Sequence, residues 1–207
     1  MELKEKDGYV MIPVSKTAVE HGLKLGKKVY LDKIDFPDKF HIGGASELQA
    51  DIYGFIAESA VCEFFNVEKP KFFKQKNDEY DLIINDLRVD VKKVGFDRRT
   101  KKPRITLNKK QFYRKKTKID AFFFVTFKGG FQQATSNGFQ IWYPIPEISY
   151  LAVLGWISSS EVEAKSKTYV WKDKMGKPID ESFSIKENVL RNVKELMFNE
   201  QKDLRGD

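Results

Sequence analysis

Apolar positions recur with two different periods along this chain, and the changes of period mark its elements. Residues 14–23 and 47–65 carry apolar side chains at helical spacing. In the second segment Leu48, Ile52, Phe55 and Ile56 fall on one side with Ser59, a buried-face pattern. Ser46 and Gln49 supply a capping-box start. Glu58 lies about 80° from the centre of that stripe at 100° per residue, at the margin of the buried face. Its neighbours one turn away, Gly54 and Cys62, are small.

From residue 80 the period falls to two. Residues 80–92 predict two strands joined by a tight turn at Asn85-Asp86. Ile84 then faces Leu87, Ile83 faces Arg88, Leu82 faces Val89 and Asp81 faces Asp90. One side of the hairpin (Leu82, Ile84, Leu87, Val89, Val91) is wholly apolar, and the other carries Asp81, Asp90 and Lys92. Residues 119–127 form a near-continuous apolar run of strand length, expected of a central strand covered on both faces.

The remaining elements are shorter. Strands are expected at 28–34, 104–107, 139–145 and 168–171, with an extended piece at 72–75. Asn108 caps a helix running through Lys116. Turns or breaks fall at Pro37, Gly43-Gly44, Gly129-Gly130 and Met175-Gly176, with a basic loop at 95–103. A short helix opens at Pro146 and runs to residue 154. An amphipathic helix at 185–201 uses Ile185, Val189, Val193, Leu196 and Met197.

Composition places this pattern in one α/β domain. The chain has 207 residues, 41% hydrophobic and 32% charged, without repeats or a linker. Residues 1–44 read as an α/β lead-in, 46–127 as the core and 128–207 as strands and a helix completing it. No apolar run approaches the roughly 20 residues of a membrane span, and the charged N-terminus lacks a signal peptide's apolar stretch. Cys62 is the only cysteine, which rules out an intramolecular disulfide and a thiolate zinc site and fits a cytoplasmic setting. His21 and His41 are not spaced as metal ligands and read as structural or surface residues.

The net charge of +7 is concentrated. Residues 92–118 hold 13 Lys or Arg against one acid, Asp97, a local +12. Such a block is the footprint of a polyanion. Lys93, Arg98, Arg99, Lys101, Lys102, Arg104, Lys109, Lys110, Arg114 and Lys115 are the candidate phosphate contacts. The block begins at Lys92, where the hairpin sets two carboxylates about 5 Å apart. Like charges that close call for a cation between them, and a divalent metal suits carboxylate oxygens. Arg88 as a neutralising neighbour is the plainer alternative.

In this order (helix with Glu58, strand with Asp81, strand with Asp90-Val91-Lys92, helix, central strand) the chain resembles the PD-(D/E)XK nuclease superfamily over about residues 46–127. Gly54-Phe55-Ile56-Ala57-Glu58 matches its first core helix and Asp90-Val91-Lys92 its D-x-K element. The naming proline is absent, Tyr80 preceding Asp81. The resemblance implies a restriction-endonuclease-like core, a central mixed β-sheet flanked by helices. It also implies Mg²⁺, with Mn²⁺ as substitute, held by Asp81, Asp90 and the Val91 carbonyl, with Glu58 completing the shell. Lys92 would stand near the attacking water and the scissile phosphate of DNA. Gln111 and Tyr113 depart, as Q-x-Y, from the Q-x-x-x-Y of some exonuclease-like branches. Cutting both strands calls for two active sites, so a homodimer is an expected partner, and a membrane is not. The competing expectations are a non-catalytic nucleic-acid-binding protein of the same fold and a module binding an acidic protein. Phe122, Phe123, Phe124 and Phe127 are expected in the core, as are Trp142, Trp156 and Trp171, whose alternative is base stacking.

Overall fold

The computed structural model describes residues 4–35, 45–68, 80–95, 102–115, 117–136, 138–173 and 175–197. The architecture is α/β, a mixed sheet flanked by helices, with a second three-stranded sheet. None of its described helices is long and apolar enough to cross a membrane. The chain forms two compact units, residues 1–77 with 127–153 and residues 78–126 with 154–207.

In the first unit β1 (Glu5–Lys6) and β2 (Tyr9–Pro13) precede two long helices, α1 (Lys16–Asp35) and α2 (Ala45–Phe65). Strand β2 pairs antiparallel with β7 (Phe139–Ser158), from Val10 opposite Val153 to Pro13 opposite Tyr150. The unit also holds the latter part of β6 (Ala121–Ser136), next to β7. Helix α1 starts at Ser15, whose Oγ accepts the Ala18 N–H (2.9 Å). It then runs straight through 28–34, where a strand is expected. Gly22 and Gly26 explain this: a Cβ at either would lie 2.4–2.7 Å from atoms of Ile56 or Ile52, so the two helices touch backbone to backbone. That packing overrides the β-leaning Val29-Tyr30-Leu31. On α2, Leu48, Ile52, Ile56 and Ser59 are buried as expected, and Glu58 is half-buried. The Gln49 amide hydrogen-bonds both backbone groups of Trp142, accepting from its N–H and donating to its carbonyl, in place of closing a capping box. The Ser46 side chain lies outside the described ones. His21 bonds Ser59 Oγ (2.9 Å), the structural role expected of it; His41 and residues 72–75 lie outside the described residues.

Two more expectations fail in this unit. Gly129-Gly130 is no turn, because β6 continues through it. Gly129 sits at φ +103°, and a Cβ there would lie 2.2 Å from the Ile148 carbonyl oxygen, so the glycine serves close strand approach. Residues 146–154 form no helix either. After Glu147 at φ +72°, residues 150–153 pair with β2, a β-ladder claiming an apolar run that periodicity alone leaves ambiguous.

The second unit contains β3 (Leu82–Ile84), β4 (Leu87–Lys93), β5 (Thr106–Asn108), α3 (Lys109–Lys115), the start of β6 and the end of β7. α4 (Ser159–Lys165), β8 (Ser166–Lys172), β9 (Pro178–Ile185) and α5 (Val193–Met197) complete it. Its part of the main sheet runs β3-β4-β6, with β3 antiparallel and β6 parallel to β4. The second sheet, β5-β9-β8, is antiparallel. Asn108 caps α3 as expected, its Oδ1 accepting the Gln111 N–H (3.0 Å). Phe122, Phe123 and Phe124 are core here, as is Phe127 in the first unit. The expected helix at 185–201 is replaced over its described residues: Ile185 ends β9, a 3₁₀ turn covers Glu187–Val189, Arg191 bridges to Trp156, and among the described residues there only α5 is α-helical, capped by Asn192.

Candidate active site

The hairpin forms in the expected register, Leu82 opposite Val89, Ile83 opposite Arg88 and Ile84 opposite Leu87. Asn85 and Asp86 adopt φ +47° and +64°, the left-handed pair that matches strand twist. Its apolar side is largely buried, with Leu82, Ile84, Val89 and Val91 in the core.

The ladder stops before Asp81. The Asp81 N–H bonds the Val89 carbonyl (2.9 Å), and its Oδ2 accepts the Val91 N–H (2.7 Å). Asp81 therefore lies at a bend, anchored to the D-x-K strand, and does not form a regular cross-strand pair with Asp90. It remains close enough to push the Asp90 pKa upward.

Asp90 is the buried carboxylate of the second unit's hairpin. It is a charged residue with 1% exposure. Burial is the main cause of its raised pKa, to which Asp81 adds; Lys92 and Lys115 oppose it. Lys92 Nζ lies 2.5 Å from Oδ2 and Lys115 Nζ 3.6 Å from Oδ1, so the carboxylate sits between two ammonium groups. Lys92 arrives from two residues along the same strand. Lys115 arrives from the last turn of α3, a helix anchored by buried Phe112 against Phe122 and Phe183.

Arg88, the alternative neutraliser, is committed elsewhere. Its backbone N–H and Nε donate to Asp120 Oδ2 (2.8 and 2.9 Å) and a terminal nitrogen to Oδ1 (2.9 Å). This hydrogen bond is the main cause of the lowered Asp120 pKa. The fork ties β4 to the residue just before β6, which fixes the parallel pairing of Asp90 with Phe122 and Lys92 with Phe124.

Asp90, Lys92 and Lys115 line a cavity of about 250 Å³. Thr106, Asn108, Gln111 and Ser182 supply its other polar groups, and Leu107, Phe112 and Phe122 its apolar walls. Lys115, expected on a phosphate track, is spaced four residues from Gln111 on a capped helix, which puts both on one face. Thr106 and Ser182 carry no signal in the sequence, because its pattern predicts no strand at β9.

Asp81, Asp90, Val91, Lys92 and Lys115 cluster in the second unit; Glu58 belongs to α2 of the first unit. Among the described residues no group of three or more His, Cys, Asp or Glu is arranged to hold a metal. The basic block is also less free than its sequence. Lys109 pairs with Glu181 (3.0 Å) and Lys110 approaches Asp180 (3.9 Å), acids delivered by β9. Lys93 and Lys102 are exposed, as is Arg114, while Arg98, Arg99 and Lys101 lie outside the described residues. Arg104 stacks on Tyr169 (4.7 Å) and Trp171 (4.4 Å). Of the three tryptophans only Trp156 is core; Trp142 is 49% exposed and Trp171 half-buried, contrary to expectation.

Comparison with protein-family models, curated proteins and solved structures returned no match.

Proposed function

We propose that this protein is a Mg²⁺-dependent DNA endonuclease on a restriction-endonuclease-like core, as its resemblance to the PD-(D/E)XK superfamily implies. The observation that carries the reading is Asp90. Taking a carboxylate almost wholly out of water costs several kcal/mol, which its pairing with lysines need not repay. Here it is kept beside a second carboxylate and two lysines in the lining of a cavity, an arrangement that serves chemistry better than stability.

The donor set suits a hard cation. Asp81 and Asp90 supply carboxylate oxygens and Val91 a carbonyl. Two carboxylates are a sparse shell, which fits Mg²⁺, an ion that retains several waters. Bound there, it would lower the pKa of a water and screen charge on the phosphate. The chain's own residues do the rest. Asp81, anchored through the Val91 N–H, holds its position relative to β4. Lys92 and Lys115 present ammonium groups to phosphate oxygens as charge builds there. The attacking water gives up a proton to solvent as its oxygen bonds to phosphorus, the bond to the leaving sugar oxygen breaks, and that oxygen takes up a proton from solvent.

Purified protein with Mg²⁺ should cleave DNA, and Asp90→Ala or Lys92→Ala should abolish cleavage while much of the DNA binding remains. Activity in both variants refutes the assignment. One observation favours a non-catalytic nucleic-acid-binding protein instead: Lys92 and Lys115 already neutralise Asp90 without a metal. Calorimetric titration with Mn²⁺ separates the two, since that reading expects no binding.

A further inference from the structure

The cavity beside Asp90 continues onto the second sheet. Thr106 and Asn108 on β5 stand opposite Ser184 and Ser182 on β9. Ser184, Ser182 and Asp180 stand in turn opposite Lys167, Tyr169 and Trp171 on β8. Directly opposed residues share a face, so these eight form one surface. Ser182 joins it to the cavity: it lines the cavity, and its Oγ accepts the Trp171 Nε1–H (2.9 Å). Tyr169 is 40% exposed and meets Trp171 edge-on, ring centroids 5.0 Å apart. The Arg104 guanidinium covers both rings and has no carboxylate partner among the described residues. The one acid on this face, Asp180, is answered by Asn108 and Lys110.

We propose that this surface binds an unpaired stretch of DNA. One nucleotide enters the cavity with its phosphate toward Lys92 and Lys115, and its neighbours lie on the Tyr169–Trp171 face. The substrate class of the site is then single-stranded or frayed DNA, not intact duplex. The chemistry rests on the nuclease reading; the binding stands on its own geometry. A cavity of about 250 Å³ is below the size of ordinary small-ligand pockets, about 300–1,000 Å³, and suits one nucleotide unit at most, not a stacked pair. Apolar walls, a few amide and hydroxyl groups and two cations in its lining suit base, base edge and phosphate. An exposed tyrosine beside a tryptophan and an arginine matches the recurring platform for single strands, because every base offers a π-face. An acidic protein partner would leave the aromatics and the cavity without a role.

The test is fluorescence anisotropy with fluorescein-labelled oligo-dT of about 15 nucleotides, within the range of single-strand site sizes. It is compared in EDTA with a duplex of equal length and a matching oligo-U. Single-stranded DNA should bind more tightly than duplex. Tyr169→Ala should weaken it roughly five- to a hundred-fold, the loss of one base stack, and leave duplex binding unchanged. Arg104→Ala, exchanging a cation on the surface, should weaken it and flatten its salt dependence. Circular dichroism melting confirms that each variant is folded. Equal affinity for strand and duplex, or no change in Tyr169→Ala, overturns the proposal; tighter binding of oligo-U overturns its DNA part. Mg²⁺ added to the same samples tells the two readings apart. The expected binding pattern without cleavage defeats the nuclease reading alone. Duplex cleavage indifferent to Tyr169 defeats this inference alone.

Discussion

Replacing Asp120 with alanine tests whether the Arg88 fork sets the strand pairing beneath the site. The change removes three hydrogen bonds: Arg88 N–H and Nε to Oδ2, and a terminal nitrogen to Oδ1, all 2.8–2.9 Å. Both side chains are about a third exposed (39% and 34%), so solvent screens the pair. At about 0.5–1 kcal/mol for each bond, the loss is about 2 kcal/mol at neutral pH. For a chain of this size that lowers Tm by about 4–8 °C. The pH dependence adds a second check. Asp120 titrates below its ordinary value of 3.8, chiefly because Arg88 hydrogen-bonds its charged form. A depressed carboxylate contributes stability above the unfolded pKa and loses it as pH falls through the folded one. The gap between wild type and Asp120→Ala should therefore be full at pH 7 and close on acidification below 3.8. Urea denaturation followed by circular dichroism measures both. A loss under about 0.5 kcal/mol at pH 7, or a gap that persists undiminished in acid, refutes the reasoning.

Three further outcomes are expected. Gly22→Ala or Gly26→Ala would ordinarily gain about 1 kcal/mol of helix propensity, but the new Cβ meets Ile56 or Ile52 at 2.4–2.7 Å; a net cost of about 3 kcal/mol should appear as a lower urea midpoint. Glu161 is held at about 2 although burial favours a rise, because Arg191, Lys165 and Ser158 hydrogen-bond its carboxylate; Glu161→Gln should cost about 2 kcal/mol at pH 7 and remove the loss of stability that wild type shows between pH 4.5 and about 2. Asp86→Gly should be neutral or stabilising by about 0.5 kcal/mol in thermal melts, since glycine adopts the φ of +64° without strain, while Asp86→Val should destabilise.

Local chemistry made part of this fold legible. The Asn85-Asp86 turn and the strict alternation around it specify the hairpin register, because a one-residue slip would expose Val89 and Val91. The apolar stripe of α2 and the Asn108 cap are equally local. What failed depends on partners distant in sequence. Residues 28–34 are helical because Gly22 and Gly26 meet α2, and 146–154 are extended because β2 lies alongside. The site divides the same way. Asp90 and Lys92 share a side by strand period, whereas Lys115 reaches Asp90 only through the packing of Phe112. Arg88 is drawn away by Asp120, 32 residues on. The basic block looked free of acids because Asp180 and Glu181 arrive on β9, about 70 residues later in the chain.

We propose that DNA is hydrolysed at Asp81, Asp90 and Lys92. This hydrolysis is tested most directly by following end-labelled DNA, single-stranded and duplex, with Mg²⁺ or EDTA, using wild type and Asp90→Asn, with binding measured in the same samples. Cleavage is expected from wild type with Mg²⁺ only, and none from Asp90→Asn despite retained binding. Cleavage by Asp90→Asn at the wild-type rate, or wild-type cleavage undiminished in EDTA, would contradict it.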